Sequence, residues 1–269
     1  MIPIGTMANG KTRTVEYLQK IAPLGFECCE LFFGETAMDV SDFPALAGTI
    51  RETARELGLF VAEYYRRQGV ETVSEDKAVG FEESQGLIQV RLASGSVIST
   101  QTVVVGIGVE PEVDLAEAAG LDVDDGIVVD EFTRTTDPDV YAAGDVASFH
   151  SPTLGKRLRV EHEDNANTMG RLAGRNMAGA GEVYHHLPAF YSDLFELGYE
   201  AVGEVEARLQ TVPDWKTPFR EGVVYYLRDQ RVRGVLLWNV WGQVDAARAL
   251  LAEPGPLAPR DLIGRIGAK

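Results

Sequence analysis

The sequence predicts an α/β protein that ends in an α+β block, on three observations. Strand-like and helix-like stretches alternate over residues 1–59. An uninterrupted apolar run, "TVVVGIG", stands at 102–108. From 184 onward a strand-rich block leads into one amphipathic helix. The 269 residues are 45% hydrophobic and 25% charged, enough apolar material for one large core or two smaller ones.

Residues 1–58 read as a βαβα unit. "IPIG" and "ECCELFFG" are strands. "RTVEYLQKIAPLG" is a helix ending at Gly25, and "SDFPALAGTIRETARELG" is a helix opened by Ser41 and Asp42 and closed at Gly58. "LFVAEYYRRQ" continues as a second helical stretch to Gly69. Residues 70–110 are mostly strand, with a hairpin where "LIQVRL" and "VIST" flank Ser94-Gly95. "TVVVGIG" has the pattern of a strand covered on both faces. "VDLAEAAGL" is a short helix, and "GIVVDEFTRTTDPDVYAAGD" is two short strands around a polar turn. "VEHEDNANTMGRLAGRNMAG" is a helix. Residues 184–252 form an antiparallel sheet with a packed helix, the strands turning tightly at Arg228-Asp229-Gln230. Trp238 and Trp241 are expected in its core. Pro254, Pro256 and Pro259 mark a loose tail.

Charge and motifs exclude several functions. A net charge of −16 argues against a nucleic-acid backbone or an anionic membrane surface as partner. The two cysteines, Cys28-Cys29, are adjacent and form no C-x-x-C, so they read as buried thiols. No leader-like start and no apolar run of membrane-spanning length is present, which sets the expectation of a cytoplasmic location. Gly5 to Thr12 match the phosphate-binding pattern G-x-x-x-x-G-K-T, and "GIVVDE" resembles the magnesium-holding strand of nucleotide triphosphatases. The strand before that loop is short and carries Pro3, which lacks the N–H that a central strand donates. Lys11→Ala is therefore expected to leave ATP binding undetectable, as before.

From about Leu59 on, five blocks stand in the order seen in pyridine-nucleotide-dependent flavin oxidoreductases. They are "RRQGVE", "TVVVGIGVEPEVDLAEAAGL", "DGIVVDEFTRTTDPDVYAAGDVA", "RLRVEHEDNA" with "GRLAGRNMAG", and "FYSDLFELGYEAVGEVE". The chain resembles the branch of apoptosis-inducing factor and ferredoxin-reductase-like enzymes. Residues 1–58 resemble the start of a sugar-phosphate isomerase/epimerase barrel, with Glu30 lacking visible metal partners. The resemblance implies three regions: a barrel-like fragment at 1–58, a partial FAD/NAD(P)-binding Rossmann-like region at 59–183, and an α+β reductase domain at 184–269.

The resemblance also implies FAD and NAD(P)H as cofactors, with hydride passing from NAD(P)H to the flavin and electrons then leaving to an acceptor protein or quinone. A homodimer is in keeping with it. No catalytic acid, base or nucleophile and no metal is implied. By the same resemblance Gly144 gives close backbone approach to the flavin chain, and Asp145 accepts from ribityl hydroxyls. The amides of Val146 and Ala147, at a helix start, face the diphosphate. Glu161, His162 and Glu163 lie at the flavin ring, with Glu163 standing where the family commonly has a second His. His185 falls where an aromatic often stacks near the nicotinamide, and Gly108 approaches the NAD. The sequence contains no G-x-G-x-x-G, so both cofactor sites read as incomplete. The alternative reading is a non-enzymatic remnant or interaction module; a P-loop triphosphatase ranks behind both.

Overall fold

The computed structural model describes residues 46–267 except Glu75, with side chains from Leu57 onward. The phosphate-loop motif, Cys28-Cys29 and residues 1–45 of the barrel-like stretch at 1–58 lie outside the described residues. The described residues divide into two compact units, one taking in Ala54–Gly108 and the other 46–53 with 109–267.

Helix α1 (Leu46–Arg67) runs through Gly58, so the expected closure there and the second helical stretch are one element. A mid-helix glycine costs only about 1 kcal/mol, and helix-forming residues continue on both sides. The true stop is Gly69, whose φ of +84° suits glycine and whose N–H bonds back to Arg66. Three strands follow: β1 (Ala78–Ser84), β2 (Leu87–Leu92) and β3 (Val97–Thr100). They pair antiparallel in that order, and the turn at Ser94-Gly95 is the hairpin read from the sequence. The apolar run "TVVVGIG" departs from expectation. It forms no strand, and Val104 and Ile107 are each 79% exposed. Apolar sequence makes a buried strand only when strands flank it, and no described strand pairs with this one.

In the second unit, α2 (Asp114–Ala118) is followed by β4 (Ile127–Val128), β5 (Ala147–Ser151) and β6 (Lys156–Leu158). β4 pairs parallel to β5, and β5 antiparallel to β6. "YAAGD" is not a strand. Tyr141 makes only an isolated bridge to Arg134, and Gly144–Val146 is a single 3-10 turn. Helix α3 (Glu163–Met177) packs Met169 and Leu172 onto Val129, Ala147 and Phe149.

The remaining strands are β7 (Ala189–Leu194), β8 (Leu197–Gly203), β9 (Gln210–Thr217), β10 (Glu221–Arg228) and β11 (Arg231–Trp238). They form one antiparallel sheet in the order β7-β8-β11-β10-β9, with α4 (Val244–Ala252) beside it, as the sequence predicts. Positive φ at Asp229 and Gln230 makes the tight turn between β10 and β11. One sheet face packs Val202, Val223, Tyr225, Val235 and Leu237 against α4.

Two expectations fail here. The proline-marked tail is not loose: Leu262 is fully buried, Ile266 is 4% exposed, and the Ile266 N–H donates to the Tyr225 hydroxyl. Trp238 is core, but Trp241 is 42% exposed, its ring lying over Gly198 where a Cβ would come within 2.7 Å. Among the described residues no helix is long and apolar enough to cross a membrane.

Candidate functional site

The 3-10 turn at Gly144–Val146 is held by two glycines. Gly144 has φ +78°, a conformation that selects glycine; space does not, since a Cβ there would meet Ala166 at an ordinary 3.5 Å. Gly126 (φ +106°) is needed for close approach, because a Cβ would fall 2.5 Å from the Val146 carbonyl oxygen. Between them the Asp145 side chain is exposed. The turn does not open a helix. Ala147 begins β5, is fully buried, and gives its N–H to the Gly144 carbonyl. The helix N-terminus of this region is instead that of α3, directly after His162.

Asp145, Val146 and Glu161 line one cavity of about 390 Å³ with Val109–Glu112, Leu115, Ile127 and Arg159. Arg159 organises it. Its Nε lies 2.9 Å from Asp125, its Nη1 2.8 Å from Glu161, and Nη1 also reaches the Asp145 carbonyl at 3.4 Å. Those two carboxylates raise the guanidinium's already high pKa, so its charge is permanent and already matched.

His162 stands directly before α3, makes no capping hydrogen bond through its side chain, and stacks on Phe190 of β7, with ring centroids 4.8 Å apart and planes 30° apart. Burial pushes its pKa down, against the opposing charges of Asp164, Asp145 and Glu161, so it is neutral at pH 7. Its Nδ1 is buried and has no hydrogen-bond partner. Glu163 accepts from the Tyr191 hydroxyl at 3.4 Å. Asn165, fully buried one turn into α3, accepts from the Tyr184 hydroxyl at 2.8 Å and leaves Nδ2 unpaired. His185 is exposed; its neighbour His186 is the histidine drawn into the structure, 2.5 Å from Asp164. Gly108 ends the other unit, with φ +87°.

The arrangement joins two kinds of surface. The exposed Asp145 carboxylate accepts hydrogen bonds and suits sugar or polyol hydroxyls. The neutral His162–Phe190 stack, with an unpaired buried ring nitrogen, suits a flat heteroaromatic group. A diphosphate fits less well: the cavity's cation is neutralised, and Glu110, Glu112, Asp145 and Glu161 line the same space. The residues thus fit the ring and polyol end of FAD and do not by themselves hold its diphosphate. Among the described residues no cluster of His, Cys, Asp or Glu is arranged to hold a metal ion.

Sequence reasoning missed Gly126, Arg159, Phe190 and Tyr191. "FYSD" stood in a quoted block, but nothing along the chain shows that its aromatics meet residues 162 and 163.

Residues 23–170 match the pyridine nucleotide-disulphide oxidoreductase family, and residues 173–218 and 213–253 match the mitochondrion-associated C-terminal domain of apoptosis-inducing factor. The first match begins inside the stretch likened to an isomerase barrel, and that likeness gains no support. Apoptosis-inducing factor 1, mitochondrial, of Dictyostelium discoideum is 37% identical over 182 residues, covering 62% of this chain and 34% of that protein. Putidaredoxin reductase of Pseudomonas putida is 31% identical, covering 80% and 51%. The crystal structure of the ferredoxin reductase for the CYP199A2 system of Rhodopseudomonas palustris superposes with a TM-score of 0.69 at 25% identity, over 86% of this chain and 54% of that one. The chain thus spans from a third to about half of the length of these relatives. With the matched residues extending over more than half of its sequence, the chain belongs to the pyridine nucleotide-disulphide oxidoreductase family.

Proposed function

We propose that this chain carries the flavin-ring side and the C-terminal domain of an FAD-dependent NAD(P)H oxidoreductase that delivers electrons to a small acceptor protein. The observation that carries this reading is the joint placement of an exposed Asp145 on a glycine-set turn and a neutral His162 stacked on Phe190. When bound, FAD would take hydride from NAD(P)H and release the electrons onward. The protein's part is to hold and orient. Asp145 would accept from the polyol hydroxyls. His162 and Phe190 would offer a flat, uncharged surface to the ring. Glu163 keeps Tyr191 at the rim through its hydroxyl. Two relatives are named as reductases of putidaredoxin and of a ferredoxin, which supports a protein acceptor of that class.

Flavin fluorescence quenching tests the reading. The chain is expected to bind added FAD weakly, with a Kd on the order of tens of micromolar, because the diphosphate end is poorly held. Asp145→Ala is expected to weaken that binding about tenfold, the effect of one charge-assisted hydrogen bond. An absence of saturable quenching, or an Asp145→Ala variant that binds like the wild type, would refute it.

One observation favours a second reading, an interaction module without turnover. The exposed run at Val104, Val105 and Ile107 is the kind of apolar surface that association covers. A chain that is colourless, does not bind FAD and self-associates in sedimentation would point that way.

A further inference from the structure

Asp164 follows His162 by two residues and stands in the first turn of α3. A carboxylate in the first turn of a helix stabilises it wherever its side chain points, yet Asp164 directs one oxygen away from its own helix. Oδ2 accepts the Ala189 N–H at 2.9 Å, and lies 2.5 Å from His186 Nε2 and 2.9 Å from Arg248 Nη2. An ionised carboxylate can only accept, so the His186 Nε2 proton points at it. Arg248, from α4, also gives Nε to the Leu187 carbonyl at 2.9 Å and Nη1 to Asp245 at 3.0 Å. Burial pushes the Asp164 carboxyl up, but the bonds from His186 and Ala189 and the nearby positive charge hold it below the ordinary aspartate value. The carboxylate is therefore ionised and engaged at neutral pH.

Three separate elements meet on this oxygen: the start of α3, the segment leading into β7, and α4. Ala189 immediately precedes Phe190. The Asp164–Ala189 bond thus closes a short path from His162 to Phe190, and the Arg248 fork fixes both its carboxylate and the backbone at Leu187. We infer that Asp164 and Arg248 are positioning residues, which set the stacking of Phe190 on His162 without touching the ring site themselves. Arg is suited to this and Lys is not, since only a planar fork reaches a carboxylate and a carbonyl together. The consequence for flavin orientation rests on the function proposed above; the clamp itself does not.

The experiment reads His162 by NMR in the full chain without flavin. In the wild type its ring protons should carry the upfield shift of a stacked imidazole and titrate below the ordinary histidine midpoint, with Asp145, Glu161 and Asp164 facing it. Arg248→Met should lose the upfield shift, and the midpoint should rise as the ring gains solvent. Arg248→Lys keeps the charge but not the fork, and should change in the same direction. Glu204→Gln weakens a remote part of the same unit and should leave His162 unchanged. A wild-type His162 spectrum in Arg248→Met, a wild-type-like Arg248→Lys, or an equal change in Glu204→Gln would each overturn the inference. If the His162 effects hold and FAD binding fails, the functional reading falls and the clamp stands.

Discussion

Two apolar stretches of similar composition end in opposite environments. In β11, Val235 and Leu237 are fully buried, hydrogen-bonded between β8 and β10 and covered by α4. In "TVVVGIG", Val104 and Ile107 are largely exposed and no ladder forms. Hydrophobic sequence supplies the driving force for burial, but the neighbours decide whether it is realised. β11 carries both neighbours within a few dozen residues, through tight turns. The run at 102–108 has none among the described residues, and Val104, Val105 and Ile107 stay exposed.

The contrast can be broken most severely inside the sheet. A Cβ on Gly234 would lie 2.1 Å from the Glu204 carbonyl oxygen, and backbone cannot move aside cheaply. Gly234→Ala is expected to destabilise by on the order of 4 kcal/mol or more, or to prevent folding. Urea unfolding, or the soluble yield, measures it; a variant within 1 kcal/mol (about the size of an ordinary substitution) would show the crossing to be looser than described.

Next in size is Glu204, 4% exposed in its side chain, paired with Lys156 and with Arg233 at 2.7 Å, while Arg233 also donates to the Leu154 carbonyl. Removing one partner strands buried charge, so Glu204→Ala is expected to cost about 3–5 kcal/mol. Burial pushes the carboxyl up, but Arg233 and Lys156 hold it below the usual glutamate value. A depressed carboxylate gives stability that is present above its unfolded value and lost as pH falls through the folded one. Wild-type urea midpoints should therefore drop on acidification below about pH 5, with a shallower drop in Glu204→Gln. Identical pH slopes would remove Glu204 from the account.

The direct comparison is the mildest. Leu237→Ala should cost about 2–5 kcal/mol through lost burial and cavity formation. Ile107→Ala should change stability by no more than about 0.5 kcal/mol while lowering the binding of a hydrophobic dye. Equal costs at the two positions would mean that the run is buried after all.

These differences mark what the sequence could convey. Local chemistry was legible: Ser94-Gly95 and Asp229-Gln230 announced their hairpins, and "VEHEDNANTMGRLAGRNMAG" read as the helix whose ends the structure sets at Glu163 and Met177. Gly58 was overread as a stop because its cost is small beside that of breaking a long helix. The burial of Leu262 and Ile266 was hidden by prolines that constrain backbone but say nothing about where a side chain lands. In the candidate site, Asp145 and His162 were singled out only through resemblance. Phe190, Tyr191 and Arg248 were not, because their roles depend on contacts across the fold; the Arg248–Asp164 bond spans 84 positions.

The buried tail has a consequence for synthesis. The last strand of the sheet ends at Trp238, but the Tyr225 hydroxyl and the core around it await Ile266, 28 residues later (266 − 238). At roughly 5–20 residues per second, that is a delay of about 1–6 seconds with one sheet face incompletely covered. During that interval the nascent chain offers a sticky surface, so chaperone dependence should concentrate there, and slower codons placed between 239 and 266 should lower the soluble yield more than the same codons placed before β7.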